Sequence, residues 1–254
     1  MPTIFSRLCL ALTLSVTVYS TPANAEEGAS PFDGLSVRSL GPAFPSGRVA
    51  DFAVHRERPH RYFAAVASGG LWLTEDDGNT WEPLFDGEAS FATGVVEIDP
   101  GNPQVVWVGT GENNAQRSVA YGDGVYRSID GGKSWRNMGL PDSAHIGDIV
   151  IHPADSDTVY VAAQGPLWNS GGDRGLYKTT DGGERWKRTL AVDDDTGANE
   201  IVLHPTRHDE LIVSTYQRRR HLWTLLNGGP GSGIHKSTDG GETWTRITAG
   251  LPSV

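Results

Sequence analysis

The chain has 254 residues, 37% hydrophobic and 20% charged, which excludes a disordered chain and a membrane-embedded one. A formal net charge of -10 excludes the basic surface that neutralises a nucleic-acid backbone, so no nucleic-acid partner is expected. Against 2 methionines and 1 cysteine stand 32 glycines, 15 prolines and 8 tryptophans, a balance that favours tight turns and short aromatic-anchored strands, and hence an all-β fold.

At the start of the chain, Arg7 precedes an apolar run from Leu8 to Tyr19, then Thr21-Pro22 and the small-residue triplet Ala23-Asn24-Ala25 before Glu26. This order predicts a secretory signal peptide cleaved near Ala25, too short to span a bilayer, and a secreted or periplasmic mature protein without a transmembrane segment. The single cysteine, Cys9, falls inside that segment, so the mature chain has no disulfide and no Cys-based zinc site.

The strongest signal is an internal repeat. Four segments obey [ST]-x-D-x-G-x-x-W: Thr74 to Trp81, Ser128 to Trp135, Thr179 to Trp186 and Ser237 to Trp244. Their aspartates, Asp76, Asp130, Asp181 and Asp239, lie 54, 51 and 58 residues apart, the length of one four-stranded sheet with its loops. Each segment predicts a β-hairpin turn. The Asp and the Ser or Thr accept bonds from the turn's own amides, Gly78, Gly132, Gly183 and Gly241 supply positive φ, and Trp81, Trp135, Trp186 and Trp244 pack on a neighbouring sheet. These aspartates therefore read as turn staples.

A second block recurs upstream of each hairpin: Ile98-Asp99-Pro100 before Val105 to Val108, Ile151-His152-Pro153 before Thr158 to Val161, Leu203-His204-Pro205 before Glu210 to Val213, and a degenerate Val54-His55-Arg56 before Arg61 to Ala64. Four antiparallel strands per unit make a propeller blade, giving blades at about 47–87, 88–141, 142–191 and 192–254. Residues 26–46 form an N-terminal segment in which Leu35 to Pro42 resembles an outermost strand able to close a ring. The fourth blade already owns such a strand, Thr243 to Ile247, so the pattern predicts further blades, about seven or more in all, in a longer polypeptide.

These motifs resemble the BNR or Asp-box repeats of secreted β-propellers, and their arrangement is most similar to the sortilin-type propeller and its bacterial relatives. Gly109-Thr110-Gly111-Glu112 with Tyr121 to Tyr126, and Gly228 to Gly233, carry the likeness to the bacterial proteins. The resemblance implies the fold across nearly all of residues 35 to 250. It leaves activity open, because Asp-box propellers include hydrolases, receptors and assembly factors.

Function is expected at the end opposite the Asp hairpins, where the long second-to-third-strand loops lie: Glu112 to Asp123, Pro166 to Arg174 and Gln217 to Pro230. Their aromatic, amide and charged side chains suit a glycan or a peptide, with Asn113, Asn114, Arg117, Tyr121, Trp168, Asn169, Arg174, Arg218, His221 and Trp223 as ligand candidates and His145 on the same side. Aligning the blades on their Pro turns brings Asp51, Val95, Asp148 and Glu200 into register at the start of the innermost strand. With Glu112, the three acids are the catalytic candidates, since facing carboxylates raise one another's pKa for acid work. The same oxygens, supplemented by Asp193-Asp194-Asp195, suit a calcium ion, but no metal or cofactor is otherwise indicated.

The leading expectation is a secreted propeller that binds a glycan or peptide. The alternatives are a glycoside hydrolase or lyase acting on extracellular polysaccharide, and an envelope assembly scaffold. The sialidase F/Y-R-I-P motif is absent. Where the xyloglucan-hydrolase family places an acid before the Gly-Gly of its first blade, this chain has Val66-Ala67-Ser68 before Gly69-Gly70.

Overall fold

The computed structural model describes residues 47–115 and 119–251. The expected signal peptide, the expected ring-closing strand at Leu35 to Pro42 and Arg117 lie outside them. Four antiparallel sheets follow one another along the chain. The first contains β1 (Arg48–Val54), β2 (Tyr62–Ala67), β3 (Gly70–Thr74) and β4 (Glu82–Pro83). The second contains β5 (Thr93–Ile98), β6 (Val106–Thr110), β7 (Val125–Ser128) and β8 (Arg136–Asn137), and the third β9 (Ile146–Ile151), β10 (Val159–Ala163), β11 (Gly175–Thr179) and β12 (Lys187–Leu190). The fourth contains β13 (Thr196–Leu203), β14 (Leu211–Arg220), β16 (Gly233–Ser237) and β17 (Thr245–Ile247), with β15 (Leu225–Asn227) paired to the far end of β14.

The second strands of the first three sheets, β2, β6 and β10, are mainly apolar or small-residue runs, and β6 and β10 are buried along their whole length because a sheet packs on either face. The outermost strands carry the charges: β8 is Arg136-Asn137, exposed at both positions. Three apolar clusters fill the spaces between successive sheets. Phe63, Leu71, Phe85, Val96 and Tyr126 lie between the first and second; Trp107, Ile146, Ile149, Val159 and Tyr177 between the second and third; Tyr160, Leu176, Ile201 and Val213 between the third and fourth. Face-to-face sheets in sequence order with their first strands adjacent are propeller blades.

The hairpins are built as the sequence predicts. Asp130 accepts bonds from the Ser128 hydroxyl at 2.7 Å, the Ser134 amide at 3.0 Å and the Ser134 hydroxyl at 2.6 Å, while Ser128 accepts the Gly132 amide at 2.8 Å. Asp76, Asp181 and Asp239 repeat the pattern. Donors crowding a carboxylate favour its charged form, holding all four aspartates below their ordinary range, Asp130 and Asp181 at about 2. Trp135 and Trp186 reach the preceding sheet, donating to the Leu84 and Met138 carbonyls at 2.8 Å, and Trp244 packs on the cluster between the third and fourth sheets. Trp81 departs from the expectation, donating to the Gly78 carbonyl of its own turn at 3.0 Å and meeting Tyr62 of its own sheet. The residue before each Pro turn, or its counterpart, caps that turn: His55, His152 and His204 accept backbone amides through Nδ1, and Asp99 does so through Oδ1.

Two features differ from the sequence reading. The segment 217–230 is not wholly a loop, because β14 runs on to Arg220 and pairs with β15, making a two-stranded arm tipped by residues 221–224. In addition, every innermost strand carries a register shift immediately before Asp51, Val95, Asp148 or Glu200, with Ala50, Gly94, Gly147 and Asn199 as the extra residues. A bulge re-aims the next side chain, and it does so at the same place in all four blades.

Candidate functional site on the long-loop end

Strand alternation puts the Pro turns and Asp hairpins at one end of every sheet and the long loops at the other. At the long-loop end the three loops are tied into one surface. The Arg220 amide donates to the Leu167 carbonyl at 2.8 Å and the Arg218 amide to the Asp195 carbonyl at 3.0 Å, so the β14–β15 arm lies on the third blade's loops. Arg219 pairs with Asp195 at 3.0 Å and also reaches the Ser170 hydroxyl. Asp195 is thereby engaged by protein, and Asp193 accepts the Asp195 amide at 2.9 Å.

Beneath this surface lies a polar network. The Asn113 amide donates to the Gly94 and Gly147 carbonyls at 3.1 and 3.2 Å, and Gln164 donates to the Asn113 carbonyl at 3.1 Å and Asn199 Oδ1 at 2.6 Å. Arg218 is buried and donates to Gln164 Oε1 at 3.1 Å and the Asn114 carbonyl at 2.6 Å. Arg174, also buried, donates to the carbonyls of Gln164 at 2.7 Å, Asn169 at 2.9 Å, Gly171 at 3.0 Å and Pro166, which makes it an internal clamp for its own loop. Burial lowers the pKa of both guanidinium groups. Glu112 is buried too: Oε1 pairs with Arg48 at 2.7 Å and Oε2 accepts the Ala120 amide at 2.7 Å.

Several aromatic candidates reach the surface. Tyr121, Trp168 and Trp223 are exposed, as is Asn169. Tyr121 lies against the His145 ring with centroids 5.1 Å apart, the Arg220 guanidinium sits 5.8 Å over Trp168, and His221 stacks on Trp223 at 5.4 Å and 15°. His145 itself is fully buried, and desolvation together with the nearby Arg218 and Arg174 charges lowers its pKa to about 3, so the ring is neutral at ordinary pH.

The innermost carboxylates are bound to backbone. Asp51 accepts the amides of Phe52 at 2.8 Å and, across to the second blade, Val96 at 3.0 Å. Asp148 does the same with Ile149 and, across to the fourth blade, Ile201, both at 2.8 Å. These contacts staple neighbouring blades and occupy oxygens that a cation or a substrate would need. Glu200 is exposed at the corresponding position of β13. Among the described residues no group of three or more His, Cys, Asp or Glu is placed to hold a metal ion.

Sequence reasoning missed Glu97 on β5. It lines a cleft of about 310 Å³ between the first two blades, with Phe52, His55 and Arg56, on the Pro-turn side. Burial first, then the charges of Asp51 and Asp148, raises its pKa to about 7, and burial raises Asp148 to about 7 as well. The available signal was a lone charge inside the apolar run Val95-Val96-Glu97-Ile98.

These shifts set the direction of pH dependence. Folded Asp148 and Glu97 keep protons that the unfolded chain releases near 3.8 and 4.5, so the stability they contribute is present in acid and lost as pH rises through about 7. His145 opposes them, losing stability as pH falls from 6.5 towards about 3, and the hairpin aspartates lose theirs below 3.8. Four carboxyls are raised by burial, Glu97, Asp148, Asp51 and Glu88, against two imidazoles lowered by it, His145 and His235, so the thermal midpoint should rise from about pH 7.5 to about pH 5 and fall below about pH 4. Glu97→Gln should flatten the rise; identical profiles for the two proteins by circular dichroism would refute the assignment.

The blade architecture and its hairpins define a β-propeller protein. Residues 123–253 match the Sortilin-Vps10 family, described as sortilin, neurotensin receptor 3, and the chain belongs to that family. It is 32% identical over 140 residues to a probable oligoxyloglucan-reducing end-specific xyloglucanase of Neosartorya fischeri, covering 50% of this chain and 15% of that protein. It is 25% identical over 210 residues to a xyloglucanase of a Paenibacillus species, covering 73% of this chain and 19% of the relative. The chain thus spans less than a quarter of the length of these relatives. Among solved structures, an ancestral GH74 enzyme aligns with a TM-score of 0.60 at 21% identity, over 81% of this chain and 26% of that one. The GH74 xyloglucanase from Xanthomonas campestris aligns with a TM-score of 0.56 at 20% identity, over 78% and 29%. Both likenesses are of fold. No helix among the described residues is long and apolar enough to cross a membrane.

Proposed function

We propose that the long-loop end of these blades binds carbohydrate, as part of a larger secreted propeller. The observation that carries this reading is the set of exposed rings, Tyr121, Trp168 and Trp223, standing over a tied polar network. Flat aromatic faces stack on sugar rings, and amide and guanidinium groups beside them fix orientation. The xyloglucanase relatives support a glycan ligand.

Flanking blades are proposed from the end sheets. Val49 of β1, and Val202 and Ile212 of the fourth blade, are 40–56% exposed, whereas apolar side chains between adjacent sheets are buried. Secretion rests on the Leu8 to Tyr19 run and the Ala23-Asn24-Ala25 site.

Glycoside hydrolysis is the second reading, supported by the names of the relatives. Val66 and Ala67, buried where xyloglucan hydrolases of the resembling family carry an acid, weigh against it, as do the backbone bonds that occupy Asp51 and Asp148. The test is affinity electrophoresis of the full-length protein in polysaccharide gels, alongside an assay for released reducing ends. Retardation without release is expected. Release would replace the binding reading with hydrolysis, and no retardation by any polysaccharide would sink both and favour the peptide ligand that the family's neurotensin-receptor description suggests.

A further inference from the structure

The cleft of about 310 Å³ between the first two blades lies at the opposite end from the long loops. The last residues of β1, Phe52 to Val54, and of β5, Glu97 and Ile98, form its walls, and the turns that follow both strands form its rim. It is open to solvent: Phe52 and Val54 are 52% and 51% exposed, and Arg56 on the rim is exposed as well. Glu97 is only partly buried, and its carboxylate oxygens keep accessible surface.

Among the described residues Glu97 accepts no hydrogen bond and forms no ion pair. The charges that reach it are Asp51 on β1, Asp148 on β9 and Asp99 in its own turn, all negative, and Arg56, the one positive group. Glu57 also lines the cleft, so carboxylates outnumber cations there. His55 is taken up by its turn, accepting the Glu57 and Arg58 amides through Nδ1 at 3.2 Å. A half-buried carboxylate crowded by others is costly to ionise, and a cation entering the cleft relieves that cost.

We infer that this cleft receives the cationic side chain of a polypeptide, its charged head on Glu97 and its apolar stem along Phe52 and Val54. The inference is independent of the carbohydrate reading, which concerns the other end of the blades. The lining favours a basic side chain over an amino sugar: Phe52, Val54, Ile98, Pro100 and Pro103 suit a hydrocarbon stem, and no hydroxyl or amide side chain lines the cleft to meet sugar hydroxyls. The exposed Phe52 ring adds an attraction for a nearby cation. Glu97 holds its proton up to about pH 7, so binding a cation expels that proton, and affinity should climb from about pH 6 to about pH 8, where lysine is still charged. Asp148, which titrates in the same range, adds to the climb.

The experiment titrates the full-length protein calorimetrically with the peptide acetyl-Gly-Lys-Gly-amide, with the same peptide acetylated on the lysine Nζ, and with a glucosamine trimer. At about pH 8 the lysine peptide should bind at least about tenfold tighter than its acetylated form, and the advantage should shrink at about pH 6 and in added salt. Glu97→Gln should remove most of that advantage, whereas Glu82→Gln, an equal loss of charge on the exposed β4, should keep it. Arg56→Gln should tighten binding, because it removes the competing cation. That variant changes an exposed residue and carries the test in case Glu97→Gln does not fold. Equal affinity for the two peptides, an advantage that survives in folded Glu97→Gln, or no tightening in Arg56→Gln would overturn the inference. Tighter binding of the glucosamine trimer than of the lysine peptide would also overturn it, in favour of an amino sugar. Each of these outcomes leaves polysaccharide retention by the long-loop end untouched.

Discussion

Truncating Trp107 to alanine should lower the unfolding free energy by about 3–5 kcal/mol, the range for emptying a large buried aromatic site. Trp107 on β6 has no exposed surface. It sits in the cluster between the second and third sheets, edge-on to Trp186 at 6.2 Å and under the Arg127 guanidinium at 5.5 Å. The third hairpin closes over it so tightly that a Cβ on Gly183, itself at φ +94°, would come within 2.8 Å of the ring. The void cannot collapse easily, because four-stranded sheets on both sides hold its walls apart. Urea unfolding should show the midpoint falling with little change in slope, and Trp107→Phe should cost clearly less. A loss below about 1 kcal/mol for the alanine variant would mean that this interface is not a packed core.

Arg174→Met should be the most damaging change on the loop end, costing at least about 3 kcal/mol although it removes no ion pair. Methionine keeps much of the apolar stem but donates nothing, so the carbonyls of Gln164, Pro166, Asn169 and Gly171 lose their shared donor. The 166–174 loop, which carries Trp168, should open, and hydrogen exchange there should accelerate well beyond that of β10 or β11. Arg174→Lys should rescue only part, since one ammonium cannot reproduce a planar fork of donors. Unchanged exchange in this loop would show that the clamp is dispensable.

The sequence exposed those parts of the protein whose interactions are local. An Asp hairpin closes within eight residues, so its spacing alone predicts bonds such as Ser134 to Asp130. The register of Asp51 and Asp148 was legible for the same reason, but their work was not: their second partners, Val96 and Ile201, lie 45 and 53 residues away on the next blade. Arg174 and Arg218 read as ligand candidates on open loops because charged loop residues are usually exposed, and only the path of the chain turns them inward. The β14–β15 arm escaped notice because the consecutive charges Arg218-Arg219-Arg220 show no strand-like alternation, whereas their backbone pairs with Asn227, Leu226 and Leu225.

The central claim is that the long-loop end is the carbohydrate-binding face. Hydrogen–deuterium exchange of the full-length protein, with and without a saturating polysaccharide, tests it most directly. The account predicts slower exchange confined to 112–115, 119–123, 166–174 and 217–230, with no change in the hairpins 74–81, 128–135, 179–186 and 237–244. Protection centred on those hairpins or on the Glu97 cleft, with the long loops unaffected, would contradict it.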